Sequence, residues 1–295
     1  MGSTIYKKKK PLLLFLVPTF LFMAVFLYYP FIMNIVGSFQ QIPGIGLPAK
    51  GMQTPFFANY VKMFTDEAML TAIKNTAVVM VCTVVFQVGI ALLLALLVDN
   101  IHRGVQFFRT VYFFPIVISA AALGLLFNII FLYDKGLVNQ LLEMMGRTGD
   151  LVDWKGRGLA LLTMILPVMW QYVGFYFVII VTGLNNIDPE LYEAAAIDGA
   201  TGIQRVLRIT LPLLKGVIST CVILAITGAL KVFDLPWTMF PNGMPEGSTW
   251  LTGTYMYYQT IILRDADYGS AIAVFIVVLG ILVSVIVNKL FKTQQ

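Results

Sequence analysis

Residues 159–184 read LALLTMILPVMWQYVGFYFVIIVTGL, an apolar run that contains no charged side chain. A helix needs about 20 predominantly apolar residues to cross the hydrocarbon core of a bilayer, and this run exceeds that length. Comparable runs are spaced along the chain at residues 12–36, 75–97, 107–131, 159–184, 217–240 and 269–291. The sequence therefore predicts an all-α membrane protein with six transmembrane helices.

The composition of the 295-residue chain agrees with this prediction. Hydrophobic residues make up 59% of the chain and charged residues only 12%, against about 45–50% and about 25% in soluble domains. So few charges cannot cover the surface of a water-soluble body of this size, which excludes almost every soluble enzyme fold. The runs also lack the residue alternation of a membrane β-barrel. We expect a single membrane domain over residues 1–295.

Basic residues indicate the orientation of this domain. The lysines at 7–10 precede the first run, which is too long for a secretory signal peptide and lacks a small-residue cleavage site. If residues 1–11 form a cytoplasmic tail, the connections at 101–106 and 185–216 also lie in the cytoplasm. These segments are richer in Lys and Arg than the outer ones. Both termini are therefore predicted to be cytoplasmic.

The connection at 185–216 carries the signals of two helices that meet at a corner. Asp188 is a favourable N-cap and Pro189 suits the first helical position, while Gly199 suits the left-handed residue that ends a helix. A Thr-x-x-Gln capping box beginning at Thr201 starts the second helix. Two interpretations remain open at this point: an amphipathic interfacial helix, or a docking element whose small residues let another protein approach closely.

Part of this loop resembles a known family. The sequence EAAAIDGA at 193–200, followed by ITLP at 209–212, resembles the EAA loop of binding-protein-dependent ABC importer permeases. Other motifs between about residues 70 and 285 are similar to the carbohydrate-uptake branch of that family. They are RG at 103–104, FP at 114–115, WQ at 170–171, KVFD at 231–234 and YG at 268–269. One departure is PNGMPEG at 241–247, where that branch usually has a Gly-Gly-Pro turn.

The resemblance implies a permease subunit of an ATP-driven sugar or oligosaccharide importer in the bacterial plasma membrane. It implies as partners a second homologous permease subunit, two ATP-binding subunits and an extracytoplasmic solute-binding protein, with transport by alternating access. The chain lacks the G-x-x-x-x-G-K-[S/T] loop that cradles phosphates. ATP and Mg²⁺ are therefore expected on the partner ATPase, with no cofactor, metal, catalytic residue or nucleic acid on this chain.

Five residues of the loop are expected to couple the permease to its ATPase. By the resemblance, Glu193 is the electrostatic contact, while Ala194, Ala195 and Gly199 allow close packing. Two roles stay open for Asp198, which either braces the corner of the loop or touches the partner. An exposed ion pair contributes only about 0–1 kcal/mol, so coupling should depend on the fit of the whole helix.

Two further sets of residues are candidates within the spans. Gln171, Tyr172 and Phe175 fall on one helical stripe of span four, and their amide, hydroxyl and aromatic groups suit a sugar pathway; the alternative is interhelical packing. Lys231 and Asp234 lie three residues apart in span five, where helix neighbours can neutralise each other. Because intramembrane charges are usually functional, we interpret this pair as structural or gating, ahead of direct substrate contact.

The alternative functions are an ion-driven secondary carrier, an ABC permease for a solute other than a sugar, and a membrane-embedded enzyme. Secondary carriers often contain inverted repeats around sites near the midplane, and no such repeat is evident. A membrane-embedded enzyme would need a cluster of His, Cys and carboxylate residues within the spans. The sequence offers no such cluster, and its only histidine is His102. These alternatives are therefore less favoured than an importer permease.

Overall fold

The computed structural model describes residues 9–99 and 105–291, and side chains within residues 13–98 and 106–291. The predicted tail at 1–11 lies largely outside these residues, as do His102 and the RG motif at 103–104. Apart from the two-residue strands β1 (Gln40–Gln41) and β2 (Gly51–Met52), which pair antiparallel, the regular structure of the described chain is helical. The prediction of an all-α fold is confirmed.

The helices follow one another along the chain with few long connections. In order they are α1 Lys9–Met23, α2 Tyr29–Gly37, α3 Ala58–Thr65, α4 Glu67–Cys82, α5 Gly89–Asp99, α6 Val105–Val117, α7 Ala120–Ile130, α8 Leu137–Met144, α9 Ala160–Leu184, α10 Pro189–Ile197, α11 Gly202–Arg205, α12 Leu211–Lys231, α13 Asp234–Met239, α14 Thr252–Tyr257 and α15 Ala266–Phe291. Turns of π-helix occupy Ala24–Tyr28, Thr83–Val88, Val206–Thr210 and Tyr258–Ile262, and a 3-10 turn occupies Pro241–Gly243.

Five stretches of the described chain are helices long and apolar enough to cross a membrane, and one bent pair of helices completes a sixth span. These five stretches are Leu13–Gly37, Glu67–Val98, Ala160–Leu184, Gly202–Met239 and Ala266–Phe291. The six predicted spans are therefore present, and the structure adds that the span predicted at 107–131 is a bent pair of helices.

The third span is broken because a capping residue lies inside its apolar run. Gln106–Val117 and Ala120–Ile130 meet at an angle of 92°. Between them, Ser119 has a non-helical backbone, and its hydroxyl accepts a hydrogen bond from the N–H of Ala122 at 3.2 Å. A serine in this position satisfies one of the backbone donors at the start of a helix, so α7 begins anew there.

The fifth span is also interrupted, contrary to the prediction of one helix over 217–240. Helix α12 ends at Lys231, since Val232 has an extended backbone, with ψ at 124°. The short helix α13 starts at Asp234 after Phe233, whose φ is −140°. Lys231 and Asp234 therefore do not lie on successive turns of one helix.

By contact the chain divides into two units, the described parts of residues 1–65 with 256–275, and of 66–255 with 276–295. The single membrane domain expected over residues 1–295 stays a prediction. In the first unit, the rings of Phe39 and Phe56 stack at 4.6 Å beside the hairpin. Lys62 Nζ lies 2.8 Å from an Asp265 carboxylate oxygen. Burial by itself raises the pKa of Asp265, but its hydrogen bond with Lys62 and the positive charge of that lysine hold the pKa below its usual range.

Helix α9 is the central helix of the second unit, where it packs against α5, α6 and α12. Phe177 and Ile180 on this helix are fully buried. Gly174 lets α9 approach α6 closely, because a Cβ atom there would overlap the backbone carbonyl of Tyr112. Small residues at helix crossings are the usual means of close packing in membranes.

We expect the substitution Gly174→Ala to destabilise the protein, because α6 and α9 would have to separate. Overpacking of this kind costs about 1–3 kcal/mol, which should lower the apparent Tm by several degrees in a thermal unfolding assay in detergent. Gly216→Ala on α12 is the matched control, since no atom lies within 4 Å of the position of its added Cβ. Equal melting temperatures for the two variants would contradict the close crossing.

Candidate functional site

A cavity of about 330 Å³ lies within the second unit. Its wall is formed by α9, α12, the π-helical turn Thr83–Val88 and the starts of α7 and α13. The candidate residues that line it are Gln171, Tyr172, Phe175, Lys231 and Asp234. The structure thus brings all five predicted intramembrane residues to one cavity, and their roles there stay predictions.

Gln171 is tied to the break in the third span. Its side chain is buried, and its Nε2 donates a hydrogen bond to the carbonyl oxygen of Ile118 at 3.3 Å. Ile118 follows the end of α6, where backbone carbonyls lose their partners within the helix. The amide of Gln171 therefore supports the bend, whereas Tyr172 and Phe175 keep partly exposed surface at the cavity.

Two polar residues of the second span also line the cavity and are absent from the sequence prediction. Thr83 and Gln87 are both buried, and Gln87 Nε2 donates to the carbonyl oxygen of Val168 at 2.7 Å. The available signal was their spacing, since residues four apart share one face of a helix. Polar side chains on one face of an otherwise apolar span indicate a bundle interior or a water-filled path.

Lys231 and Asp234 are exposed at the cavity on either side of the break in span five. The ion pairs among the described residues are Lys62–Asp265 and Arg157–Glu246, so the neutralising contact that helix neighbours would allow between Lys231 and Asp234 is not formed. The cause is the non-helical backbone at Val232 and Phe233, which removes the three-residue spacing from a single helix. The interpretation of Lys231 and Asp234 as a structural or gating pair stays a prediction.

The short helices α7 and α13 pack together beside the cavity. Gly124 allows this, since a Cβ there would lie 2.8 Å from the side chain of Thr238. Asn128 Nδ2 donates to the carbonyl oxygen of Thr238 at 3.0 Å, and Lys155 Nζ donates to the Asn128 side-chain oxygen at 2.7 Å. Burial lowers the pKa of Lys155. These hydrogen bonds satisfy backbone and side-chain groups at the ends of two broken spans.

The loop after span four folds as its sequence predicts. The carboxylate of Asp188 accepts a hydrogen bond from the N–H of Glu190 at 3.0 Å, at the start of α10. Gly199 has a φ of +73° and ends that turn. Thr201 and Gln204 form the complete capping box, with hydrogen bonds of 3.3 and 2.8 Å.

Four of the five predicted coupling residues are exposed: Glu193, Ala194, Asp198 and Gly199. Ala195 is different, because it is only 8% exposed and faces its own chain. Its burial favours a role in holding α10 in place over a contact with a partner. Ile197, at the end of α10, is absent from the predicted coupling residues and is 87% exposed.

Comparison with known proteins identifies the family. Residues 87–294 match the family described as "Binding-protein-dependent transport system inner membrane component". The chain belongs to this family. With its apolar helices, it is a multi-pass membrane protein and a transport permease subunit, as the sequence analysis predicted. An ion-driven secondary carrier is not favoured.

The similarity to individual relatives covers nearly the whole chain. The probable ABC transporter permease protein YurN of Bacillus subtilis is 34% identical over 96% of each chain. The sulfoquinovosyl glycerol transport system permease protein SmoG of Agrobacterium fabrum is 32% identical over 96% of this chain and 90% of its own. A bacterial ABC transporter involved in the import of the acidic polysaccharide alginate matches with a TM-score of 0.83 and 26% identity, over 97% of this chain and 96% of the transporter chain.

The break at Ser119 gives a direct prediction. Ser119→Ala removes the cap of α7 and should destabilise the protein by about 1 kcal/mol, seen as a lower apparent Tm. Ser119→Asn, which keeps a capping oxygen, should stay close to the wild type. The control is Thr110→Ala on α6, whose hydroxyl bonds only to the carbonyl of Gln106 in its own helix. If Ser119→Ala melted at the wild-type temperature, the cap would not be what restarts the helix.

Proposed function

We propose that this chain is the permease subunit of an ATP-driven importer of a sugar or oligosaccharide, and that it contributes half of the translocation pathway. The observation that carries the proposal is the cavity inside the family fold, where amide, hydroxyl and aromatic side chains meet beside two helix breaks. Irregular backbone at membrane depth is tolerated where it is buried or lines a water-filled cavity. A polar path through the unit fits this arrangement.

The chemistry of the cavity supports a carbohydrate as the cargo. Tyr172 offers a hydroxyl and a ring, Phe175 offers an aromatic face, and Thr83 and Gln87 add polar groups. Sugars present hydroxyls on their edges and C–H surfaces on their faces, which such groups can match. SmoG and the alginate transporter are named for the transport of saccharides, and their similarity to this chain supports the same class of cargo.

The complete importer, in this proposal, contains a second homologous permease subunit, two ATP-binding subunits and an extracytoplasmic solute-binding protein. The family description supports the binding protein, since it names a binding-protein-dependent system. ATP and Mg²⁺ bind to the partner ATPase, and this chain supplies no cofactor and performs no hydrolysis. Both termini face the cytoplasm of a bacterial cell, on the same side of the plasma membrane as α10.

Helix α10 is the element that the ATPase contacts in this proposal. Glu193, Ala194, Asp198 and Gly199 are exposed on or directly after it, and Ile197 adds an apolar contact. Short exposed helices with small residues fit into clefts because their backbone can approach closely. The cytoplasmic loop at 185–216 then converts movement of the ATPase into movement of spans four and five.

The docking of the ATPase is tested by charge reversal at Glu193. Glu193→Lys should reduce recovery of the ATP-binding subunit about fivefold or more when the importer is purified through a tag on this chain. The loss comes from one ion pair, worth up to about 1 kcal/mol, together with new repulsion from the basic partner. Glu143→Lys, on the exposed helix α8, is the control and should leave recovery unchanged. Wild-type recovery with Glu193→Lys would contradict the proposed contact.

The sugar pathway is tested at Tyr172. Tyr172→Ala removes a hydroxyl and a ring contact, each worth about 1 kcal/mol, so uptake of the transported saccharide by whole cells should fall about tenfold or more. Tyr172→Phe retains the ring and should lose less. Recovery of the partner subunits serves as the control for assembly. If both variants transported like the wild type, Tyr172 would lie outside the pathway.

A further inference from the structure

Within the loop at 185–216, a side-chain hydrogen bond joins α10 to the π-helical turn that follows α11. Tyr192 projects from α10 and is half-buried, and its Oη lies 3.0 Å from Oγ1 of Thr210. Thr210 is the last residue of the π-helical turn Val206–Thr210 and is only 3% exposed. A hydrogen bond in this setting is shielded from water on the threonine side, which favours its persistence.

Thr210 also has a second, weaker contact within its own helix. Oγ1 of Thr210 also lies 3.5 Å from the carbonyl oxygen of Arg205, five residues earlier. That contact is long for an O–H···O hydrogen bond, so either hydroxyl can donate in the 3.0 Å bond between Tyr192 and Thr210. In both cases the bond attaches the Tyr192 side chain to the π-helical turn.

Thr210 lies at an irregularity in the helix. A π-helical turn departs from the regular i to i−4 hydrogen-bond pattern, and such turns occur frequently at functional sites. Here the turn lies between α11 and α12, within the candidate span Gly202–Met239. The side chain from α10 is therefore attached at the one irregular point of the cytoplasmic part of span five.

Helix α10 depends on such attachments for its own stability. It extends over Pro189–Ile197, and isolated helices shorter than about 12–15 residues are marginal in water. The buried Ala195 and the hydroxyl of Tyr192 tie it to the rest of the chain. Without them, the direction of α10 relative to span five would not be fixed.

We infer that Tyr192 and Thr210 are positioning residues that make α10 and span five move as one body. The inference rests on the proposed function, in which an ATPase binds α10. From Thr210, α12 continues to the cavity, where Leu224, Gly228 and Lys231 form part of the wall. We call the Tyr192–Thr210 hydrogen bond the joint between α10 and span five. Movement of α10 reaches the cavity through α12 only if this joint transmits the movement.

The test uses the complete importer purified through a tag on this chain. The variants are Tyr192→Phe and Thr210→Val, which each remove one hydroxyl, and Thr210→Ser, which retains it. Thr220→Val is the matched control, because the Thr220 hydroxyl bonds only within α12, to the carbonyl of Gly216. Tyr133→Phe, at an exposed tyrosine outside the loop, controls for the tyrosine change.

Movement at the cavity is followed with a cysteine label. Leu224→Cys is introduced with Cys82→Ala and Cys221→Ala, since Leu224 lines the cavity and is 40% exposed. The rate of reaction with N-ethylmaleimide is measured with and without Mg²⁺-ATP. Hydrogen exchange of the amides at 198–200, which close the end of α10, reports the joint itself.

The inference predicts that Tyr192→Phe and Thr210→Val retain the ATP-binding subunit but lose at least fivefold of the ATP-dependent change in labelling. Amide exchange at 198–200 should rise about fivefold, the factor expected for one hydrogen bond worth about 1 kcal/mol. The double variant should be no worse than the poorer single one, because the two side chains form one interaction. Thr210→Ser, Thr220→Val and Tyr133→Phe should respond to ATP like the wild type.

Two results would overturn the inference alone. One is a normal ATP-dependent change in labelling with Tyr192→Phe and Thr210→Val; the other is faster exchange in α10 with labelling unaltered, which would make the joint only structural. Failure of the proposed function looks different. In that case the wild-type chain would recover no ATP-binding subunit and its labelling would not respond to Mg²⁺-ATP, and the inference would fall with it.

Discussion

The arrangement of this protein depends on hydrogen-bonding the backbone groups that broken helices leave behind in the membrane. Within hydrocarbon, each backbone group without a partner costs several kcal/mol. The breaks after Val117 and Lys231 create such groups, and side chains hydrogen-bond at least two of them. Ser119 caps α7, and Gln171 donates to the carbonyl of Ile118. The cavity lies where these breaks meet, so the polar groups that allow irregular backbone also surround the proposed path.

The same reasoning connects the cavity to the loop at 185–216. Helix α10 is capped at its start and ended by a glycine, and its side chain Tyr192 reaches the π-helical turn before α12. Helix α12 then continues to Lys231 at the cavity. The short, largely exposed helix α10 is therefore connected to the wall of the cavity by one hydrogen-bonded joint and one continuous helix, α12.

Local signals predicted the loop well, whereas the spans were predicted only in outline. Asp188, Gly199 and the Thr201 capping box act through neighbours in sequence, so the sequence alone places them correctly. The breaks in spans three and five were not predicted, because the average hydropathy of a long apolar run does not reveal a single capping residue such as Ser119. Gln87 was missed for a related reason, since its partner, the carbonyl of Val168, lies on another helix.

The importer assignment is best tested by a structure of the assembly purified from its native membrane through a tag on this chain. We expect a second permease beside this chain and a nucleotide-binding subunit that encloses Pro189–Ile197, with the exposed residues of that helix in a cleft. The opposite result is an isolated chain with α10 free in solution or lying against lipid, and no nucleotide-hydrolysing protein in contact with it. That result would contradict the assignment as an ATP-driven importer subunit.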